Sequence, residues 1–202
     1  MIKVVSGALA LSLVAAGAAH AATVAKTYSY YAISGSTLDE IEDQLGRYGP
    51  EVKSSGQRHP GATRMQFNTR LDYLDQKGRC RVSKATVTVR AKVILPKWRR
   101  SRQADNDVRV IWDTLAADIK RHEDRHVEIA KNHARDMEKA LMATRPQASC
   151  AAAAEQAKAL SARLLDRHDK AQGEFDRVEG INFESRMLRL LRYRLERMEA
   201  AR

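Results

Sequence analysis

A stripe of apolar and histidine positions at helical spacing, Ile111, Leu115, Ile119, His122, His126, Ala130, His133, Met137 and Leu141, constrains this chain more than any other feature. Steps of three and four place all of them on one face of a helix from about Asp105 to Thr144. The rest of the domain must pack against that face. The stripe also carries chemistry, because His122-Glu123-Asp124-Arg125-His126 reads HExxH. Residues four apart on an α-helix sit about 40° apart on the cylinder and roughly 6 Å apart along the axis, so both imidazoles can converge on one metal ion.

Glu123 projects about 100° from His122, beside such an ion. There its carboxylate can take a proton from an attacking water and later pass it to a leaving amine. Two unliganded imidazoles stacked in a core would cost several kcal/mol unless paired, which favours a Zn2+ site over two core histidines. A catalytic zinc takes three protein ligands and keeps a fourth position for water, so a third ligand is required.

The beginning of the chain predicts export. Met1-Ile2-Lys3 is a short basic region, Val4 to Ala19 is apolar or small apart from Ser6 and Ser12, and Ala19-His20-Ala21 is an A-x-A cleavage pattern. Residues 1–21 are therefore expected to leave as a signal peptide, with the mature chain periplasmic or secreted. No later segment approaches the roughly 18 uninterrupted apolar residues that a membrane span needs. In an oxidising compartment the two cysteines, Cys80 and Cys150, are expected to form one disulfide. Zinc ligation by them is disfavoured, since neither has a CxxC partner and a thiolate-rich site is structural rather than hydrolytic.

Net charge is +11, or +10 once Lys3 leaves with the leader, and basic residues cluster at Lys97-Trp98-Arg99-Arg100-Ser101-Arg102 and in the C-terminal segment. Such a balance favours anionic neighbours such as an envelope surface. No nucleic-acid-binding motif accompanies the charge, so nucleic acid is not an expected partner. About 180 mature residues suit one domain, 22–180, followed by a basic amphipathic helix over 181–202. In that last stretch Met187, Leu190, Leu191, Tyr193, Leu195 and Met198 are interspersed with arginines.

Between leader and long helix, Thr27 to Ile33 reads as a strand. A short helix capped by Ser36 then runs to Gly46, with Leu38, Ile41 and Leu45 on one face. Residues 51–61 read as an exposed loop. Alternation in Met65, Phe67, Thr69, Leu71 and Tyr73, a turn at Gln76-Lys77-Gly78, and a second run from Cys80 to Leu95 predict a hairpin. After Pro146 a second helix is expected over about Cys150 to Phe175, antiparallel to the first.

If that turn centres near 144–149, His126 faces about position 167, which makes His168 the expected third ligand. His133 is too far, lying about 10 Å along the axis from His126 if the helix continues. Ile129 stands where the metzincin pattern has a turning glycine. Glu174, Asp176 and Glu179 read as solvated, or as partners orienting a ligand histidine.

The chain also resembles the bacterial secreted proteins of unknown function described as predicted secreted zinc-dependent proteases. The resemblance rests on Tyr31-Ala32-Ile33-Ser34-Gly35-Ser36-Thr37-Leu38, on Cys80 leading a long strand to Pro96-Lys97-Trp98, and on Trp112 ten residues before His122. It continues through Ile129-Ala130, Cys150 and Phe175-Asp176, covering roughly residues 27–180. It implies His122 and His126 as ligands, Glu123 as catalytic base and Asp176 as a rival to His168. Phe175-Asp176-Arg177-Val178-Glu179-Gly180 departs from the family pattern, in which a Tyr-Asp pair precedes a Thr-x-His-Gly or similar ending.

Together these readings predict an α+β, zincin-like fold, a short antiparallel sheet packed with a long HExxH helix and an antiparallel second helix. The expected function is that of an exported zinc-dependent metallopeptidase acting on protein or peptide. The alternative is a non-catalytic basic envelope binding or adaptor protein whose metal is structural or vestigial. Hydrolysis of a non-protein amide or ester is a third possibility.

Overall fold

The computed structural model describes residues 23–52 and 56–201, so the leader read over residues 1–21 lies outside the described residues. Strand β1 (Thr23–Ile33) leads into helix α1 (Leu38–Tyr48). The N-cap is Thr37 rather than Ser36: its side chain accepts from Glu40 N, while the Glu40 carboxylate reaches back to Thr37 N, a reciprocal capping box. Two-residue strands β2 (Glu51–Val52) and β3 (Gln57–Arg58) pair antiparallel where an open loop was expected.

Strands β4 (Ala62–Gln76) and β5 (Arg79–Trp98) form a long hairpin. Lys77 and Gly78 close it with φ of 53° and 75°, the pair of left-handed residues whose twist matches that of the flanking strands. Between Asp72 and Tyr73 the register shifts, which leaves Ser83 of β5 without a partner. This bulge explains why the buried positions of β5 change phase, from Cys80 and Val82 to Ala85, Val87, Val89, Ala91, Val93 and Leu95.

The sheet order is β1-β5-β4, with β1 parallel to β5 and β4 antiparallel to it. The expectation of a short antiparallel sheet is therefore corrected: the sheet is mixed and its hairpin is long. Alternation along β1 records which face is buried but not the strand's direction, which is set by the return of the chain through α1 and the β2–β3 pair. The α+β class holds, with a small mixed sheet and four helices among the described residues.

Helix α2 (Asn106–Met142) lies across one face of the sheet. Ala130, Ala134, Met137 and Leu141 pack with Val82, Ala85, Val87 and Val89 of β5, and Ile119 and Val127 pack with Ala91, Val93 and Leu95. A third cluster joins Ile33, Ile41 and Leu45 to Trp98 and Trp112 at the other end. Each aliphatic side chain removed from water there contributes about 1.5–3 kcal/mol, so this interface sets the position of α2 on the sheet.

Helix α3 (Cys150–Ile181) runs antiparallel to α2, joined to it by residues 143–149. That connection is pinned by the paired backbones of Gln147 and Cys80 and by the Cys80–Cys150 disulfide. The pair is consequently offset by about two helical turns from a symmetric hairpin. His133 meets His168, while His126 meets Gln172 and Asp176.

After Asn182, helix α4 (Phe183–Ala200) turns back onto α2. It is held by buried Met187 and by Arg186, whose Nε and Nη2 donate to the two carboxylate oxygens of Asp118 at 3.1 Å each. Among the described residues no helix is long and apolar enough to cross a membrane.

Candidate metal centre

His122 and His126 project from α2 toward α3 because they share the stripe that packs against the rest of the molecule. Their Nε2 atoms lie 3.0 Å apart. Asp176, on the facing side of α3, places Oδ1 3.2 Å from His122 Nε2 and 3.0 Å from His126 Nε2. These three donor atoms form a near-equilateral triangle. Ligands at about 2.0–2.1 Å from a tetrahedral zinc stand roughly 3.3 Å from one another, so two imidazoles and a carboxylate at this spacing fit the ion in number, type and separation.

The remaining ring nitrogens are oriented as ligand histidines require. His126 Nδ1 lies 2.6 Å from Gln172 Oε1 and donates to it, which directs the Nε2 lone pair at the shared point. Gln172 also donates to the His126 carbonyl at 3.1 Å and to His168 Nε2 at 2.7 Å. His122 stacks on Phe175 with ring centroids 4.9 Å apart, and its Nδ1 lies 3.6 Å from Glu179 Oε2. Glu179 is itself held by Arg121 and Arg186, and both arginines also reach Asp118.

His168, the expected third ligand, is placed elsewhere. It is buried on the far side of Gln172, with Nδ1 2.9 Å from Asp169 Oδ1 and its ring edge-on to Phe67 and His133. The two-turn offset of α3 carries it past His122 and His126 and sets Asp176 opposite them instead. Burial lowers its pKa against the pull of Asp169, which favours the neutral ring that accepts from Gln172. His133 lies beside His168, outside the group, and Glu174 is exposed and paired with Arg177. Glu179 backs His122 rather than joining the triangle.

Glu123 is only 4% exposed. Its carboxylate accepts from Thr63 Oγ1 at 2.8 Å and lies against Gly61, where an added Cβ would come within 2.7 Å of Oε1. Burial raises its pKa, and the Thr63 hydroxyl and the charges of His126 and His122 oppose the rise. Asp176, although partly buried, is held well below the usual carboxylate range by hydrogen bonds from His122 and His126. Burial lowers the His126 pKa, but its bonds to Asp176 and Gln172 outweigh that and hold it above the ordinary imidazole value.

Sequence reasoning missed Gly61, Thr63 and Gln172. The last was findable: His168, Gln172, Asp176 and Glu179 follow one another at steps of four, four and three, a polar stripe on α3 that answers the histidine stripe on α2. Gly61 and Thr63 carried no comparable mark.

A family model described as "Bacterial protein of unknown function (DUF922)" matches residues 28–184. No curated protein matches the chain, and no solved structure does.

Proposed function

The chain belongs to this bacterial family of unknown function, and we propose that it is an exported zinc-dependent peptidase in which His122, His126 and Asp176 hold the metal and Glu123 is the general base. One observation carries the reading: three donor atoms from two helices converge within 3.0–3.2 Å of one another, with the carboxylate of the HExxH motif buried beside them. The Cys80–Cys150 disulfide suits the oxidising compartment that export implies.

Zinc supplies polarisation of a scissile carbonyl and a lowered pKa for water. The remaining work falls to the chain. Gln172 and Glu179 orient the imidazoles from behind, and Phe175 packs on both rings. Glu123 takes a proton from the attacking water and returns it to the leaving amine. A carboxyl whose pKa is raised by burial is the better acid–base pair for that return step, since its conjugate acid survives nearer neutral pH.

Elemental analysis of the purified mature chain beside its His122→Ala variant tests the premise. The expected result is one zinc per chain, lost in the variant. Glu123→Gln should retain the zinc and lose hydrolysis of unstructured peptide substrates by about 100-fold or more. Absence of metal after reconstitution would instead favour the binding or adaptor reading.

A further inference from the structure

Among the described residues α2 and α3 pack on one face of the sheet, and the other face is rich in cations, with Asp72 of β4 a carboxylate at its far end, opposite Lys84. Because strand side chains alternate, Arg64 and Arg70 of β4 share this face with Arg90 and Lys92 of β5, all exposed. Arg64 is directly opposite Lys92 in the ladder, and Gln66 is opposite Arg90. Like charges directly opposed on a sheet destabilise it. None of these four cations has an ion-pair partner among the described residues. On the opposite face the comparable lysine of β1, Lys26, is paired with Asp124.

The charges surround a shallow trough of about 360 Å³, with Ala25 and Thr27 of β1 forming its low side and Gln66 beside the cations. Small residues on β1 leave room above the sheet, and amide and hydroxyl groups sit between the positive charges.

We infer that this face is a docking surface for an acidic polysaccharide, a linear polyanion whose carboxylate or sulfate groups pair with Arg64, Arg90 and Lys92 while its hydroxyls meet Gln66 and Thr27. Three observations select that occupant. Between Arg70 and Arg64 the face carries no aromatic ring on which a nucleobase could stack. It presents no large apolar side chain there to enter a bilayer. A long twisted hairpin follows a linear chain along its length, whereas a planar membrane meets only part of it. The surface lies on the opposite side of the sheet from the His122–His126–Asp176 group, so the docked protein leaves that group open to solvent.

The test uses the mature chain and fluorescently labelled polygalacturonate at low salt. The expected result is binding that weakens as salt is raised, lost by about tenfold or more in Arg64→Ser/Arg90→Ser/Lys92→Ser. An equal charge removal elsewhere, Arg163→Ser/Arg189→Ser/Arg192→Ser, should change it by less than about twofold, and Arg64→Lys/Arg90→Lys should bind as the parent does. Equal loss in both serine triples would reduce the effect to net charge and overturn the assignment. So would absence of binding by the parent. Tighter binding to phosphatidylglycerol vesicles or to oligo-dT, lost in the sheet-face triple, would hand the surface to a membrane or to single-stranded nucleic acid. Zinc content is read on every variant and should not change.

Discussion

Asp176 and His168 lie two helical turns apart on α3, and what each is bonded to separates their roles. Asp176 turns a carboxylate oxygen toward two imidazole nitrogens, whereas His168 already has both ring nitrogens engaged, one by Asp169 and one by Gln172. Asp176→Ala is therefore expected to abolish stoichiometric zinc. His168→Ala should weaken zinc by about 10–100-fold, by loosening the amide that orients His126. Competition against a chromogenic chelator measures both, and a larger loss in the histidine variant would restore His168 as ligand. The same atoms set a pH dependence. With its pKa raised, His126 stabilises the metal-free fold by an amount fully present below about pH 6.5 and lost as pH climbs through the raised value. Zinc needs that ring neutral, so the melting-temperature gap between zinc-loaded and metal-free protein should widen from about pH 6 to 8. A gap that stays constant or narrows would remove His126 from the ligand set.

At the scale of helices and strands, legibility in the sequence followed whether the information was local. The α2 stripe, the β4–β5 hairpin with its left-handed turn and the amphipathic C-terminal helix are written in periodicity and turn residues, and they form where that periodicity puts them. The two histidines and Glu123 were readable for the same reason, since one helix carries all three. Asp176 was offered only by the family resemblance, as a rival to His168, and helix spacing did not select it, because the register of α3 against α2 is set by residues distant in sequence: Gln147 pairing with Cys80, and Cys150 bonded to that same residue. The parallel direction of β1 was hidden likewise. The disulfide thus belongs to the site's geometry although it lies far from the donor atoms. Closing a loop across a separation of 70 residues, it should contribute about 2–4 kcal/mol. Chemical denaturation of Cys80→Ser/Cys150→Ser ought to show that loss. Because the α2–β5 core is independent of the bond, zinc should still bind, more weakly as α3 gains freedom to slide. Undiminished stability would mean that the 143–149 connection holds the register unaided.

For the molecule as a whole, the question is whether residues 181–202 are an appendage or part of the domain. Packing argues for the latter. Asp118 is a carboxylate only 4% exposed, and its pKa is lowered because the arginine bonds, from Arg186 on α4 and Arg121 on α2, outweigh the burial that would raise it. Arg186 also reaches Glu179, which backs His122, so one side chain of the last helix touches α2, α3 and the surroundings of the His122–His126–Asp176 group together. Removing α4 would leave Asp118 and Glu179 to share a single cation, Arg121, and loosen the hold on the carboxylate that backs His122. Arg186→Ala is accordingly expected to cost roughly 2–3 kcal/mol, because truncating one partner of a buried ion pair leaves the other charge uncompensated. Arg186→Ala/Asp118→Ala, which removes both charges, should recover part of that loss. A chain ending at Gly180 should fare worse than Arg186→Ala, since it also uncovers the α2 surface packed by Met187. Urea denaturation of the four proteins, with zinc affinity read in parallel, separates the two views. If α4 is integral, stability and zinc affinity fall together in Arg186→Ala and in the truncation; if it is an appendage, both proteins unfold and bind zinc as the parent does.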